Sequence, residues 1–286
     1  MLKVCLLGLG RTGAVVAEQL LNAPDFELTS VIAKPDSSKA DRSLAAVLKR
    51  PTELVIAAAD ELRQEIKAKK FKVAIDFTTP EATLKNARIL AENGIHMVIG
   101  TTGFNNSQLY ELKQLVQQYK VGLVYAPNIA VGINLLLSIV KTVTRLIPYY
   151  DIEITESCHR DKNGIPSGTA LKIANEVAQI KQQSSARHGE GCDGGHAKKS
   201  AGVIGVHSSQ PTGLVGMHQV LFAGEADELE ITHRSYSRAI YAEGALKAAA
   251  FVAGIKGFFH MEDVLLAERL ERDLRVEANR LFLNFN

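Results

Sequence analysis

Residues Leu2–Gly13, LKVCLLGLGRTG, carry the clearest structural signal in this chain of 286 residues. The run Leu2–Leu7 is almost continuously apolar, which predicts a strand buried on both faces of a parallel sheet. A glycine-rich turn follows at Gly8–Gly13, and a helical pattern begins at Ala14. A strand, a G-x-G-x-x-G turn and a helix in this order are typical of a βαβ unit that binds a dinucleotide, because the glycines let the pyrophosphate approach the helix N-terminus.

Strands and helices keep alternating as far as residue 128. Strands are predicted at Phe26–Ala33, Val73–Phe77, Met97–Ile99 and Leu123–Tyr125, and helices at Ala14–Leu21, Pro80–Asn93 and Asn106–Tyr119. Short apolar strands separated by helices require a parallel sheet with helices on both faces. The predicted fold class of residues 1–128 is therefore α/β, a Rossmann-like doubly wound parallel sheet that forms a dinucleotide-binding domain.

The pattern changes after Asn128, where a second domain is predicted over residues 129–238. Helices are predicted at Ile133–Ile147, Thr169–Gln182 and Ala239–Ile255, and strands at Asp151–Thr155, Ala201–His207, Leu214–Ala223 and Glu228–Arg234. The last three strands have the pattern of antiparallel strands, which predicts an α+β domain with an open mixed sheet. The tail 265–286 is amphipathic and charged, which predicts a helix on the surface or at an oligomer contact.

The composition excludes several classes of partner. A net charge of +2, the lack of a Lys/Arg-rich block and the absence of Trp give no support for nucleic-acid binding. Charged residues interrupt every apolar run before it reaches the length of a membrane span. Three cysteines, an odd number, and an N-terminus unlike a signal peptide predict unpaired thiols in a reducing cytoplasm. Cys192 and His196 alone are too few ligands for zinc, so no metal site is predicted.

The first domain carries several candidate cofactor contacts at the ends of its predicted strands. The glycine-rich turn contributes Gly8, Gly10, Arg11, Thr12 and Gly13, and two later turns contribute Phe77, Thr78, Gly100, Thr101 and Thr102. In parallel sheets the carboxyl ends of the strands are where ligands bind. Small hydroxyl side chains and backbone N–H groups at these ends suit a nicotinamide ribose or carboxamide, and ordinary turn chemistry is the alternative interpretation.

The end of the second predicted strand bears on the type of cofactor. An NAD site usually has an acidic residue there for the ribose hydroxyls, whereas this strand ends at Ala33 and is followed by Lys34. A lysine suits the 2′-phosphate of NADP, so NADP is predicted as the preferred cofactor and NAD as the alternative cofactor. Asp36 would bind a ribose if the turn is longer, and an exposed loop lysine is the alternative interpretation of Lys34.

Five longer motifs occur along the chain in a recognisable order. They are DFTTPEAT (76–83), VIGTTGF (98–104), APNIAVGIN (126–134), DIEITESCHRDKNGIPSGTA (151–170) and EITHRSYSRAIYAEGALKAA (230–249). With these motifs the chain resembles the dihydrodipicolinate reductase family as far as about Val264. The segment E-x-x-H-x-x-K-x-x-x-P-S-G-T within the fourth motif is the most specific of these features.

The resemblance implies an enzyme of lysine and diaminopimelate biosynthesis. Its reaction would be the NADPH- or NADH-dependent reduction of 4-hydroxy-tetrahydrodipicolinate, a small cyclic dicarboxylate, to tetrahydrodipicolinate. It also implies cofactor contacts at Ala126 and Asn128, and a C-terminal helix at about 239–264 that completes the first domain. Family members are typically tetramers formed through the sheets of the substrate domains, so a homo-oligomer, tetramer or dimer, is expected.

The resemblance assigns the substrate chemistry to one short region. Reduction of the conjugated ring leaves electron density that needs a positioned cation and a proton donor, and Lys162 is the candidate for both. His159 would contact a substrate carboxylate or the ring nitrogen. Ser167, Gly168 and Thr169 open a helix and would bind a carboxylate. Arg238, near the start of the last helix, is a further candidate substrate contact.

Cys158 stands where the family has its proposed acid–base histidine. A thiol holds a proton at neutral pH but is a less adjustable donor than imidazole, so Cys158, His159 and Lys162 are the three catalytic candidates. One hypothesis is a divergent reductase of the family substrate, with Lys162 supplying the proton. A second is a paralogue that reduces a different imine or unsaturated carboxylic acid. A third, a non-catalytic nucleotide-binding homologue, is disfavoured because such a protein would not need Lys162 and the Ser-Gly-Thr turn.

Overall fold

The computed structural model describes residues 1–160, 164–181, 204–211 and 215–268. Its elements in chain order are β1 (Leu2–Leu7), α1 (Arg11–Asn22), β2 (Phe26–Ala33), α2 (Leu44–Leu48), β3 (Ile56–Ala58), α3 (Leu62–Lys69), β4 (Val73–Asp76), α4 (Pro80–Glu92), β5 (His96–Ile99), α5 (Asn106–Tyr119), β6 (Gly122–Tyr125), α6 (Val131–Leu146), β7 (Asp151–Cys158), α7 (Gly168–Ile180), β8 (Gly205–Ser209), β9 (Gly216–Ala223), β10 (Glu228–Ser235), α8 (Ala239–Val252) and β11 (Gly257–Phe259). A short 3₁₀ turn precedes α3.

The chain divides into two compact units. The first unit comprises Met1–Val131 together with the chain from Ala239 onward, and the second comprises Gly132–Arg238. None of the helices in the described ranges is long and apolar enough to cross a membrane.

The first unit is built on a seven-stranded parallel sheet. The strand order is β11-β6-β5-β4-β1-β2-β3, so the chain reverses direction across the sheet between β1 and β4. In such doubly wound sheets ligands bind beyond the carboxyl ends of the strands at this reversal point. The predicted α/β class is confirmed.

Both faces of this sheet are covered, which explains the continuous apolar character of its strands. Along β1, Val4 and Leu6 belong to one hydrophobic core, which α1 and α8 cover, whereas Cys5 and Leu7 belong to the other, which α3, α4 and α5 cover. All four side chains are fully buried. A strand with one solvent-exposed face would instead alternate apolar and polar residues.

The second unit contains a four-stranded mixed sheet in the order β10-β9-β7-β8. Its apolar side chains pack against α6 and α7, with Ile154, Val220 and Phe222 among the fully buried residues. Along β9 buried and partly exposed residues alternate, as expected for a sheet with one buried face. The predicted open mixed sheet is confirmed.

The structure contains α2, β3 and α3, which are not among the predicted elements. Three further differences concern β8, α8 and β7. Strand β8 pairs parallel with β7 instead of antiparallel, because the chain returns to the sheet after α7. Helix α8 ends at Val252, and the chain then adds β11 to the edge of the first sheet beside β6. Strand β7 extends beyond Thr155 to Cys158, which places Glu156 on the same buried face as Ile152 and Ile154.

Candidate active site

The glycine-rich turn between β1 and α1 is packed too closely for side chains at two of its glycines. A Cβ atom built on Gly13 would lie 1.9 Å from the carbonyl oxygen of Gly8. Gly8 has a φ of +91°, and its Cβ would lie 2.4 Å from the carbonyl oxygen of Phe77. The protein's own packing therefore requires glycine at both positions.

Gly10 lies in a different environment from those two glycines. A Cβ built on it would meet no atom within 4 Å, so nothing within the described chain requires glycine there. Gly10 caps α1 without a side-chain hydrogen bond, and the first turn of this 12-residue helix contains no acidic residue. An open approach to uncapped N–H groups at a helix N-terminus suits a pyrophosphate, so these residues fit a dinucleotide.

The turns after β4 and β5 meet the glycine-rich turn around Phe77. The backbone N–H of Phe77 donates to the carbonyl of Leu7 at 2.9 Å, which ties the end of β4 to the end of β1. The Phe77 ring fills the space beside Gly100, where a Cβ would lie 2.2 Å from the ring. The structure therefore brings together the three predicted groups of cofactor contacts at the reversal point of the sheet.

Asp76 links two of these turns through its buried carboxyl group. Its Oδ1 atom accepts hydrogen bonds from the backbone N–H of Thr78 and from the hydroxyls of Thr78, Thr83 and Thr101, at 2.6–2.9 Å. Its Oδ2 atom is buried and has no hydrogen-bond partner among the described residues. Burial raises the pKa of Asp76, and the bonds from the three threonines offset only part of that rise. Asp76 thus holds Thr78 and Thr101 in one arrangement.

Lys34 and Asp36, the two candidates for discriminating the cofactor, contact each other after β2. The Lys34 ammonium lies 2.7 Å from Oδ2 of Asp36, and both side chains are exposed. The hydrogen bond from Lys34 lowers the pKa of Asp36. Lys39, which is not among the predicted contacts, donates to the carbonyl of Leu9 at 2.5 Å and so places a second cation beside the glycine-rich turn.

The two remaining predicted contacts of the first unit follow β6. Ala126 is buried, and its N–H donates to the carbonyl of Ile99 at 2.9 Å. The side chain of Asn128 accepts a hydrogen bond from the N–H of Ala130 at 3.1 Å. These bonds order the segment that joins β6 to α6.

In the second unit, Ser167 caps the N-terminus of α7. Its hydroxyl accepts from the N–H of Ala170 at 3.1 Å, and its own N–H donates to Oε1 of Glu156 at 2.7 Å. Ser167 is therefore occupied by internal bonds. The helix-start donors beyond it belong to Gly168 and Thr169, and a Cβ on Gly168 would meet no atom within 4 Å.

Glu156 is a carboxylate with no exposed surface at the centre of this region. Besides Ser167, Oε1 accepts from the hydroxyl of Ser208 at 2.7 Å. Oε2 lies 3.6 Å from the Cys158 thiol and 3.6 Å from Nε2 of His218. Burial acts to raise the pKa of Glu156, but donors on His218, Ser167 and Ser208 outweigh it, so that pKa lies well below its usual range.

Two histidines extend this buried polar group across the sheet. His218 on β9 is opposite Glu156 on β7, and His233 on β10 is opposite His218. Both Nδ1 atoms are buried without a hydrogen-bond partner among the described residues. Burial lowers the pKa of His233, and the neighbouring His218 lowers it further.

The predicted catalytic residues lie at and after the end of β7. Cys158 is buried, and its thiol donates toward Glu156, whereas His159 is half-buried. Lys162 lies outside the described residues, as do Cys192 and His196. Arg238 is half-buried directly before α8. In the ranges that the structure covers, no group of three or more His, Cys, Asp or Glu could hold a metal ion.

Sequence reasoning missed Asp76, Glu156 and His218 as organising residues. An available signal was the extension of β7, because an acidic residue that follows Ile152 and Ile154 at a spacing of two falls on the buried face. For Asp76 the signal was a carboxylate at the end of a buried strand, two residues before the pair Thr78 and Thr79. Some of their hydrogen-bond partners, such as Thr101 for Asp76 and Ser208 for Glu156, are distant in sequence, and only the fold identifies them.

The chain is similar to known proteins in both sequence and fold. The family model for the dihydrodipicolinate reductase N-terminus matches residues 2–129, and the model for the C-terminus matches residues 132–265. The 4-hydroxy-tetrahydrodipicolinate reductase of Ralstonia nicotianae is 37% identical over 267 residues, which covers 92% of this chain and 99% of the relative. The enzyme of Methanosarcina barkeri is 35% identical over 272 residues, with 93% and 99% covered.

Solved structures give the same result for the fold. Dihydrodipicolinate reductase from Paenisporosarcina sp. TG-14 with dipicolinate bound has a TM-score of 0.74 and 28% identity, and covers 91% of this chain and 97% of its own. Amine dehydrogenase from Mycobacterium smegmatis shares the fold alone, with a TM-score of 0.64 and 13% identity over 92% of this chain and 95% of its own. Because both family models match and together span most of the sequence, the chain belongs to the dihydrodipicolinate reductase family, whose members are pyridine-nucleotide-dependent oxidoreductases.

Proposed function

We propose that this protein reduces 4-hydroxy-tetrahydrodipicolinate to tetrahydrodipicolinate with NADPH or NADH, as a step of lysine and diaminopimelate biosynthesis. The main observation in support is that the N-terminus of α7 is open at Gly168 in a chain of this family. The buried carboxylate of Glu156 holds this helix start through Ser167. A dicarboxylate substrate needs such a site, because helix N–H groups bind carboxylates. The first unit would bind the nucleotide and the second the substrate.

The nicotinamide cofactor supplies a hydride when bound. The chain's part in holding it begins at the glycine-rich turn, where Gly10 leaves space for the pyrophosphate and the N-terminus of α1 stabilises its charge. Thr78 and Thr101, held by Asp76, would orient the nicotinamide end. Lys34 and Lys39 support NADPH as the preferred cofactor, since two cations suit a 2′-phosphate.

The second unit would bind and protonate the substrate. The donors of Gly168 and Thr169 would hold one carboxylate, and His159 and Arg238 are the proposed contacts for the rest of the ring. Reduction of a conjugated imine leaves electron density that must be neutralised, and Lys162 is the proposed cation and proton donor. Cys158 is the other candidate proton donor, although its thiol donates toward Glu156.

A homo-oligomer formed through the second-unit sheet is part of the proposal. The face of this sheet that carries Thr155, Gln219 and Leu221 is only partly buried within the chain. Light scattering coupled to gel filtration measures the assembly, and a monomer would contradict it. A cytoplasmic location is proposed as well, since Cys5 and Cys158 are buried thiols outside any disulfide.

The decisive experiment is an assay with freshly generated 4-hydroxy-tetrahydrodipicolinate, in which the loss of NADPH or NADH absorbance is followed. Turnover supports the proposal. Tight cofactor binding without turnover would instead favour a paralogue that acts on a different imine or unsaturated carboxylic acid. This paralogue is the second candidate function because Cys158 stands at the family's histidine position. Failure to bind either cofactor would favour a non-catalytic role.

A further inference from the structure

We infer that Glu156 is a positioning residue, which holds the start of α7 in the geometry that binds the substrate carboxylate. The inference rests on the proposed function for the identity of the ligand. Glu156 itself is fully buried and faces α7, so it acts through Ser167.

The geometry gives Glu156 control over the first residue of the α7 turn. Ser167 has extended backbone, with φ −68° and ψ 155°, and its N–H points away from the helix toward Oε1 of Glu156. Its hydroxyl and carbonyl accept from Ala170 and Leu171. The carboxylate therefore fixes the residue that sets the direction of the next two N–H groups, those of Gly168 and Thr169.

Charge explains why a carboxylate occupies this position. A hydrogen bond to an ionised acceptor is shorter and stronger than a neutral one, and both bonds to Oε1 measure 2.7 Å. A buried carboxylate is tolerated only when enough donors surround it. Ser167, Ser208 and His218 supply them from α7, β8 and β9. The position of the turn is thereby linked to three elements of the second unit.

The same carboxylate is linked to Cys158 two residues along β7. The Cys158 thiol donates to Oε2 at 3.6 Å, which is within range for a sulfur donor. Oε1 of Glu156 therefore holds Ser167 at the start of α7, and Oε2 contacts Cys158, the residue at the family's histidine position. A change at Glu156 should affect both.

The test compares Glu156→Gln and Glu156→Leu with Glu153→Gln as the matched control. Glu153 lies on the same strand but on the opposite face, where it pairs with His207 at 2.8 Å. Because that face is the proposed oligomer contact, gel filtration first establishes that Glu153→Gln has the wild-type assembly. Binding of dipicolinate and of NADPH is measured by calorimetry, and kcat and KM are measured with the reductase substrate. The glutamine keeps an acceptor for Ser167 but removes the charge, whereas the leucine removes both.

We expect Glu156→Gln to raise the dipicolinate Kd and the substrate KM about tenfold, the effect of weakening one charge-assisted hydrogen bond, and Glu156→Leu to raise them further. The NADPH Kd and the values for Glu153→Gln should stay within about twofold of wild type. A merely structural role would lower thermal stability without this selective change. Wild-type dipicolinate binding and KM in folded Glu156→Gln would overturn the inference.

Amide hydrogen exchange provides a measurement that does not depend on the substrate. In the peptide that covers residues 164–176, exchange at the start of α7 should be faster in both Glu156 variants than in wild type or Glu153→Gln. Unchanged protection there would overturn the inference even if turnover falls. If wild-type protein neither binds dipicolinate nor turns over, the proposed function fails, and the exchange result still decides whether Glu156 holds the turn.

Discussion

The ammonium of Lys34 lies 2.7 Å from Oδ2 of Asp36, so the cation and the acid that could each select a cofactor neutralise one another. Both side chains are mostly exposed, at 76% and 69%, which makes the pair weak and easily displaced. A 2′-phosphate would compete with Asp36 for Lys34, whereas a ribose hydroxyl pair could use Asp36 as its acceptor. Cofactor preference therefore depends on which member of the pair the ligand engages.

Removing Asp36 and removing Lys34 should shift the preference between NADPH and NADH in opposite directions. We expect Asp36→Ala to strengthen NADPH binding and weaken NADH binding about threefold each, and Lys34→Ala to weaken NADPH binding about fivefold. Calorimetric titration at low and high salt measures both effects, and the NADPH effect should shrink at high salt. A tighter NADH complex in Asp36→Ala would contradict the assignment.

Gly10 and Gly13 should respond to alanine in different ways. The Cβ of Gly13→Ala would lie 1.9 Å from the carbonyl oxygen of Gly8, so the backbone must move, at a cost of about 2–4 kcal/mol in the free energy of unfolding. Gly10→Ala meets no atom within 4 Å and should keep wild-type stability, but it should weaken cofactor binding at least about tenfold because the methyl group enters the phosphate space. Thermal unfolding and fluorescence titration with NADPH separate the two effects.

Lys162→Ala should lose turnover while cofactor binding stays intact. If the lysine supplies both a cation and a proton to the reacting ring, kcat should fall by a factor of about 100 or more. The NADPH Kd is the internal control, since the proposed cofactor contacts lie in other segments of the chain. Turnover close to wild type in this variant would exclude Lys162 as the proton donor.

Cys158→Ser distinguishes a thiol that only packs from one that transfers a proton. Cys158 is only 3% exposed, and a serine hydroxyl there can still donate to Oε2 of Glu156, so the fold should tolerate the substitution because no buried donor is left unpaired. If Lys162 is the donor, kcat should stay within about threefold of wild type. A loss of about 100-fold would instead assign the proton transfer to the thiol.

The sequence allowed most of the first unit to be predicted, because its signals are local. The strands β1, β2 and β4–β6 could be located from apolar runs within one residue of their observed bounds. The helix after the glycine-rich turn was also predicted, although it begins at Arg11, three residues before its predicted start. The turns around Phe77 and Gly100 could be grouped because parallel strands bring their carboxyl ends together. Such inferences need only the pattern of neighbouring residues.

Features that depend on distant partners could not be predicted. The parallel direction of β8 and the addition of β11 are set by which strand lies beside them, and periodicity carries no information about that neighbour. The four bonds to Asp76 come from residues two to 25 positions away, and Ser208 reaches Glu156 over 52 positions. A buried carboxylate is recognisable as functional only when the donors that surround it are known.

The pH dependence of stability should identify Glu156 as a carboxylate that is ionised in the folded protein. Its donors hold its pKa below the unfolded value of about 4.3, so the unfolded state binds more protons between these two values. The stabilisation by Glu156 is therefore fully present above about pH 5 and is lost as the pH falls toward the folded pKa. Cys158 and His218 are the titratable groups that face this carboxylate, and both are unchanged in the variant used for the test.

Thermal unfolding of wild type and Glu156→Gln between pH 7 and pH 3 measures this contribution. The wild type should be more stable at pH 7 by about 2 kcal/mol, and the difference should shrink as the pH falls below about 5, because the protonated acid and the amide are similar in charge and size. Glu153→Gln controls for general acid destabilisation, since Glu153 is partly exposed and its partner His207 is on the other face of the sheet. A difference that is constant across the whole range would mean that the pKa of Glu156 is the same in the folded and the unfolded protein, which would remove the charge-based account of how it holds Ser167.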